Sequence, residues 1–347
     1  MLDPKVLQMA KERGRTFPFE TRTLTYSATE ILLITPLIQK YMELGLKVKK
    51  IYYAVQYAPT KPFSQFVNDL VEVRIRSQGT NQALGDRAKY TLNSCCGRFG
   101  LNLEKQRKTT FALEKNLHRN IRTPLVERYH TLNTEYDTGI FEILKKKSKI
   151  TDTIGVHISM FIYQESKLHF LNFVLVLHEY LQKGAFRLIY CDTDSLAMSI
   201  AGTSLDDIVR PEKKREWDES IKSRWFADDT PRQQKLPGYL KKEWETSNGT
   251  MVALSAKCYM VTDGKKYKKS TKGTPRHINL TLEAYEKALF GGEIPKATFG
   301  QIVKDQKKGS AVTQLITKKA VNPLYLKMRV SDNLVDVYPF KKNDKFV

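Results

Sequence analysis

The chain has 347 residues, with 58 Lys and Arg against 37 Asp and Glu, a formal net charge of +21, 41% hydrophobic and 27% charged residues. That composition excludes a disordered chain and supplies apolar mass for two or three compact units. So large a basic excess repels itself unless a polyanion neutralises part of it. Nucleic acid suits best, because each phosphate contact by Lys or Arg releases a counterion; a merely basic, solvated surface is the plain alternative.

In chain order, residues 27–45 read as a helix, with Ser27 and Glu30 at capping-box spacing and Gly45 as the stop. Residues 48–58, rich in Val, Ile and Tyr, read as a strand. Phe63, Phe66, Val67, Leu70 and Val71 form one helical stripe, and Leu84, Ala88, Leu92 and Cys95 another. The polar SQGTNQ (77–82) separates them, and the second helix ends near Gly97 and Gly100, so the pair is a helical hairpin. Residues 101–150 are polar and basic, and loops with short elements are expected there.

IGVHISMFIY opens a helix that runs to about Leu181 and is stopped by Gly184. The apolar strands 186–190 and 195–200 then flank CDTD. Residues 201–235 are charged and expected to be a surface excursion. GYLKKEWE and 251–263 are strand-like, 265–273 is strongly basic, a helix is expected around Leu280 to Phe290, and a mixed tail follows. The cysteines, Cys95, Cys96, Cys191 and Cys258, fit neither a zinc site nor a disulfide framework and read as thiols in a reducing compartment. No apolar run approaches the roughly 20 residues of a membrane span, and the N-terminus has no signal-like apolar core, so an intracellular, soluble protein is expected.

Three constellations carry chemistry. In Tyr190-Cys191-Asp192-Thr193-Asp194-Ser195, two carboxylates at i and i+2 lie between apolar strands. Side by side, two anions are unfavourable unless a cation neutralises them, and hard oxygen donors suit Mg²⁺. An ordinary hairpin turn, where Asp is common, is the alternative. In the second helix of the hairpin, Lys89, Asn93 and Gly97 are four apart and share one stripe opposite the apolar face. A polar stripe of that kind is also what any solvated helix shows. Lys257 and Tyr259, with Lys272-Gly273 downstream, read as a basic strand able to touch a phosphate backbone, or simply as a solvated one.

The ordered set is more specific than its members. Lys89-YTL-Asn93-Ser94-CC-Gly97, then YCDTDS, then Lys257-Cys-Tyr259, resembles motifs B, C and KxY of family B DNA polymerases. NSCCGRFG, KLHFLNFV ahead of RLIYCDTDSL, and ALSAKCYM are similar to the protein-primed, organellar and viral branch, which includes the Polinton/Maverick transposons. The resemblance spans about residues 25–290.

It implies an α+β, right-hand polymerase fold fragment: a palm-adjacent segment (1–60), helical fingers (61–100), a partial palm with antiparallel sheet (101–261) and a thumb (262–347). It implies Asp192 and Asp194 as catalytic metal ligands for Mg²⁺ in a two-metal site. Lys89, Asn93 and Gly97 would bind the incoming dNTP, and Lys257, Tyr259 and Lys272 the DNA primer. The implied partners are primer-template, dNTP and, in that branch, a protein primer, with no membrane.

Two departures stand out. The family's upstream Asp with its Leu-Tyr-Pro-like segment has no counterpart: Asp3, in Met-Leu-Asp-Pro, is the only acidic residue before Glu12. Cys96 also stands where the family has Tyr or Phe, and a thiol offers no flat stacking surface. The expectation is thus a DNA polymerase lacking one catalytic Asp, in a truncated or decayed copy, with a non-catalytic nucleic-acid-binding remnant as the alternative. Thr193 between the aspartates argues against a reverse-transcriptase-like enzyme, where the two are adjacent.

Overall fold

The computed structural model describes residues 31–132, 139–151, 153–290, 292–305, 309–321, 328–330 and 337–339. Asp3 and the expected Ser27–Glu30 cap lie outside them. The fold is α+β, with every sheet antiparallel.

Helix α1 (Thr35–Glu43) starts with Pro36 in its first turn, and Gly45 at φ 94° lets the chain leave it. Helices α2 (Ser64–Arg76) and α3 (Gln82–Phe99) form the expected hairpin. The Asn81 side chain caps α3 by accepting from Leu84 N at 3.0 Å. Both α1 and α3 pack on α5 (Val156–Tyr180), the longest helix described. The Gln164 side chain on α5 accepts from Ile34 N at 2.7 Å and donates to Leu32 O at 3.0 Å, fastening the chain entering α1.

Residues 48–58 are not a strand. They are irregular and exposed, with Ile51 74% and Tyr53 72% accessible. Strand propensity acts only through cross-strand neighbours, and no described strand pairs with this segment. Residues 101–150, expected as loops, instead build a sheet of order β1-β3-β2, from Arg107–Leu113, Val126–Thr131 and Ile140–Lys146. Helix α4 (Glu114–Ile121) lies between β1 and β2 in sequence. Their Lys and Arg residues mask the signal: Arg107 pairs with Glu127 across the sheet, while Ile143 is fully buried.

Helix α5 leads into β4 (Phe186–Asp192) and β5 (Ser195–Ile200), as expected. The 201–235 stretch is a further correction, since it supplies core rather than a surface excursion. Ile208, Val209, Trp217, Ile221 and Trp225 are buried with Phe173, Leu177 and Tyr180 of α5. Charged residues on the outer face of the continuous helix 214–225, which contains a π turn at Trp217–Ile221, obscure its apolar face. The Trp217 indole donates to Asp206 Oδ1 at 2.8 Å, which satisfies its buried polar atom. On this core rest Phe186 of β4 and the alternating Leu196, Met198 and Ile200 of β5. Segment 238–245 is no strand either: it makes one isolated bridge, Leu240 with Phe226.

A second core belongs to the C-terminal part. Residues 251–263 are a hairpin, β6 (Thr250–Ser255) and β7 (Cys258–Thr262), extended by β8 (Tyr267–Ser270). Val252, Leu254, Cys258 and Met260 pack on Tyr285 and Ala288 of α6 (Leu282–Leu289) and on Ala297, Ala320 and Val321. The boundary drawn at 261/262 therefore runs inside one sheet and one core. The mixed tail contains β9 (Lys296–Lys304) paired with β10 (Ala311–Lys319), and β11 (Met328–Val330) paired with β12 (Val337–Pro339). Buried Asp305, beyond β9, accepts from Phe111 N of β1 at 2.8 Å. No helix among the described residues is long and apolar enough to cross a membrane.

Candidate functional site

Strands β4 and β5 pair down to Asp192 opposite Ser195, leaving Thr193 and Asp194 to turn the chain. The turn is tight: Asp194 N donates to Asp192 O at 2.7 Å, with Thr193 at φ 60°. A β-branched residue at positive φ costs on the order of 1–3 kcal/mol, strain that persists only where surrounding structure imposes it. Thr193 Oγ1 donates to Asp192 Oδ1 and Ser195 Oγ to Asp192 O, both at 3.2 Å. Asp192 is half-buried and Asp194 exposed.

The second tip comes from the β6–β7 hairpin. Lys257 is not on a strand, as its spacing from Tyr259 suggested, but in the turn, at φ 61°. From there its Nζ donates to Asp192 Oδ2 at 2.6 Å, and its backbone N donates to the Tyr190 hydroxyl at 2.7 Å. The Tyr190 and Tyr259 rings pack with centroids 4.9 Å apart. The hydrogen bond to Asp192 holds the Lys257 ammonium above its ordinary range, aided by the charges of Asp192 and Asp194. Burial pushes the Tyr190 phenol up, and Lys257 N–H offsets part of that. Asp192, Asp194, Lys257 and Tyr259, read from distant stretches of sequence, thus converge.

The α3 stripe is arranged differently. Lys89, Asn93 and Gly97 are all exposed, and a Cβ placed on Gly97 would meet nothing within 4 Å. Among the described residues no hydrogen bond or ion pair ties this stripe to Asp192 or Asp194. Lys89 instead belongs to a crowd of cations. Burial, followed by the charges of Lys241, Arg74 and Lys89, lowers the Lys235 ammonium. The Glu243 carboxyl is held below its usual range first by its hydrogen bond to Lys268, then by Lys241 and Lys89 among nearby charges. A shallow groove along α2 and α3, lined by Phe66, Arg87, Tyr90 and Arg98, excludes all three stripe residues. Cys96 is half-buried, and its thiol is pushed up by burial, so it stays protonated. Lys272 is exposed in the turn after β8.

Sequence reasoning passed over Tyr190, although it begins the YCDTDS run; its aromatic ring beside two carboxylates was the available signal. For a cation, the site offers two hard carboxylates, one of them already paired with Lys257. Among the described residues no cluster of three or more His, Cys, Asp or Glu could hold a metal ion.

A family model described as DNA polymerase type B, organellar and viral, matches residues 14–206, which takes in the α3 stripe and the β4–β5 tip and ends before Lys257. No curated protein matches the chain. No solved structure matches it either.

Proposed function

The chain belongs to the organellar and viral type B DNA polymerases, and from that premise we propose that it adds dNTPs to a primer 3′-hydroxyl under template direction, with the β4–β5 tip as its reactive centre. By family it is a nucleotidyltransferase of DNA replication whose partners are primer-template and dNTP. The observation that carries the proposal is the convergence on one point of Asp192, Asp194 and Lys257, two anions and a cation from hairpins 65 residues apart.

In this reading β4–β5 is the palm, α2–α3 the fingers, and the basic C-terminal part the start of the thumb. Asp194, exposed and without an ion pair among the described residues, and Asp192 would hold Mg²⁺. Bound there, the ion would neutralise charge developing on the transferred phosphoryl group. The donor chemistry fits one such ion, since Mg²⁺ is commonly held by one or two carboxylates together with substrate phosphates. Lys257 does part of the ion's work by neutralising Asp192, and its exposed ammonium is placed to meet a primer phosphate. Lys89, whose charge reaches Lys235 together with those of Lys241 and Arg74, suits the triphosphate. Asn93 and Gly97 would shape the pocket for sugar and base, while Tyr259 and Lys272 would steady the primer strand.

Primer extension with Mg²⁺ or Mn²⁺ tests the proposal, comparing the wild-type chain with Asp194→Asn. Extension that disappears in the variant supports the enzyme. Binding of primer-template without any extension by the wild-type chain, under either ion, favours the non-catalytic remnant. That second reading rests on the Lys257–Asp192 pair and the absence of a three-ligand cluster among the described residues.

A further inference from the structure

We propose that Tyr190 is a positioning residue that clasps the two hairpin tips together and so sets Lys257 against Asp192. A buried or constrained backbone N–H needs a partner, and Lys257, turned out of the strand ladder at φ 61°, finds its own in a side chain 67 residues away, the Tyr190 hydroxyl at 2.7 Å. That the phenol points there is a property of β4. Its pairing with β5 shifts register between Leu188 and Tyr190, and such a bulge re-aims the side chains that follow it. Ala197, directly across from Tyr190, is small enough to leave the ring free to lean away from β5 onto Tyr259.

The far side of Lys257 is fastened as well. Ser270 Oγ of β8 donates to Lys257 O at 3.0 Å, and the Tyr285 hydroxyl of α6 donates to Ser270 O at 3.2 Å. Lys257 therefore sits between the C-terminal core and the reactive tip, held by its backbone at both ends while its amine reaches Asp192. Thr193 and Lys257, the two non-glycine residues with positive φ among those described, occupy the tips that touch. Strain at both ends of one contact is what a junction that must hold its geometry shows. Tyr190 acts through Lys257 and needs no contact with substrate.

The assignment of a task to this geometry rests on the polymerase reading; the clasp itself does not. Tyr190→Phe keeps the ring on Tyr259 and removes only the oxygen. In the variant chain, hydrogen exchange of the Lys257 amide should quicken by roughly five- to tenfold, the value of one net hydrogen bond. Protection elsewhere in β4–β5 and β6–β7 and the melting temperature should hold. Affinity for primer-template should fall severalfold with KM for dNTP unchanged, and Tyr190→Ala should be worse on both counts. Unchanged exchange at Lys257 in Tyr190→Phe overturns the clasp, as does a uniform loss of protection across both hairpins. If the wild-type chain extends no primer, the polymerase reading fails by itself, and the exchange of Lys257 still decides the role of Tyr190.

Discussion

The β4–β5 tip and the α3 stripe offer the same kind of sequence signal, polar residues at regular spacing, and the fold completes them to different degrees. At the tip, Asp192 receives Thr193, Ser195 and Lys257, and Tyr190 braces the lysine from behind. On α3, Lys89, Asn93 and Gly97 are exposed and, among the described residues, make no such contacts. The difference has a physical origin. A half-buried carboxylate such as Asp192 needs partners inside the protein, whereas a lysine on a helix surface is content with water. The tip is therefore organised within the protein, and the stripe is left to solvent.

Substitutions at the two places should have unequal outcomes. Asp194→Asn should lower primer extension on the order of a thousandfold or more, since it removes several kcal/mol of charge stabilisation that nothing nearby replaces. Single-nucleotide incorporation would measure it. The platform beneath the tip should show the next largest effect. Trp217→Ala empties a site that is 1% exposed in the core supporting β4 and β5, and should cost about 3–5 kcal/mol in denaturant unfolding. Phe66→Ala on α2, a 38% exposed position, should cost about 1 kcal/mol or less. Equal costs would mean that the two regions are equally built.

Lys89→Ala should act on binding more than on chemistry, raising KM for dNTP by about tenfold, the lower end for a hydrogen bond to a charged group, with a smaller change in kcat. A loss confined to kcat would place Lys89 among preorganised groups, like those at the β4–β5 tip. The smallest effect concerns pH. The hydroxyl of Thr203, with the backbone N–H groups of Ser204 and Thr203, holds the Asp207 carboxyl down to about 2, from 3.8. A depressed folded pKa means that the stabilisation is complete above about pH 4 and is lost as pH falls through 2. Asp207→Asn should flatten that part of the acid profile, and the segment following β5 should loosen there before α2–α3 does.

Much of the fold was legible because the signals were local. The α2–α3 hairpin, α5 and the strands around CDTD follow from periodicity and breakers that act within a few residues. The strand expected over 48–58 failed because Val, Ile and Tyr favour strands only beside another strand. The sheet of 107–146 and the core of 208–225 were hidden by charge on their outer faces. Lys145 and Lys146 end β3 while Ile143 is fully buried, and Lys214 and Lys222 flank the buried Trp217.

By itself the sequence determined the pair of carboxylates, the basic helix face and the order of motifs that marks the family, since these depend on residue type and spacing alone. Only the tertiary structure decided that Lys257 leaves its strand, that Tyr190 accepts its amide, and that the two strained turns meet. Those contacts join residues more than 60 apart, and spacing along a chain carries no information about which distant turns come to share a point in space.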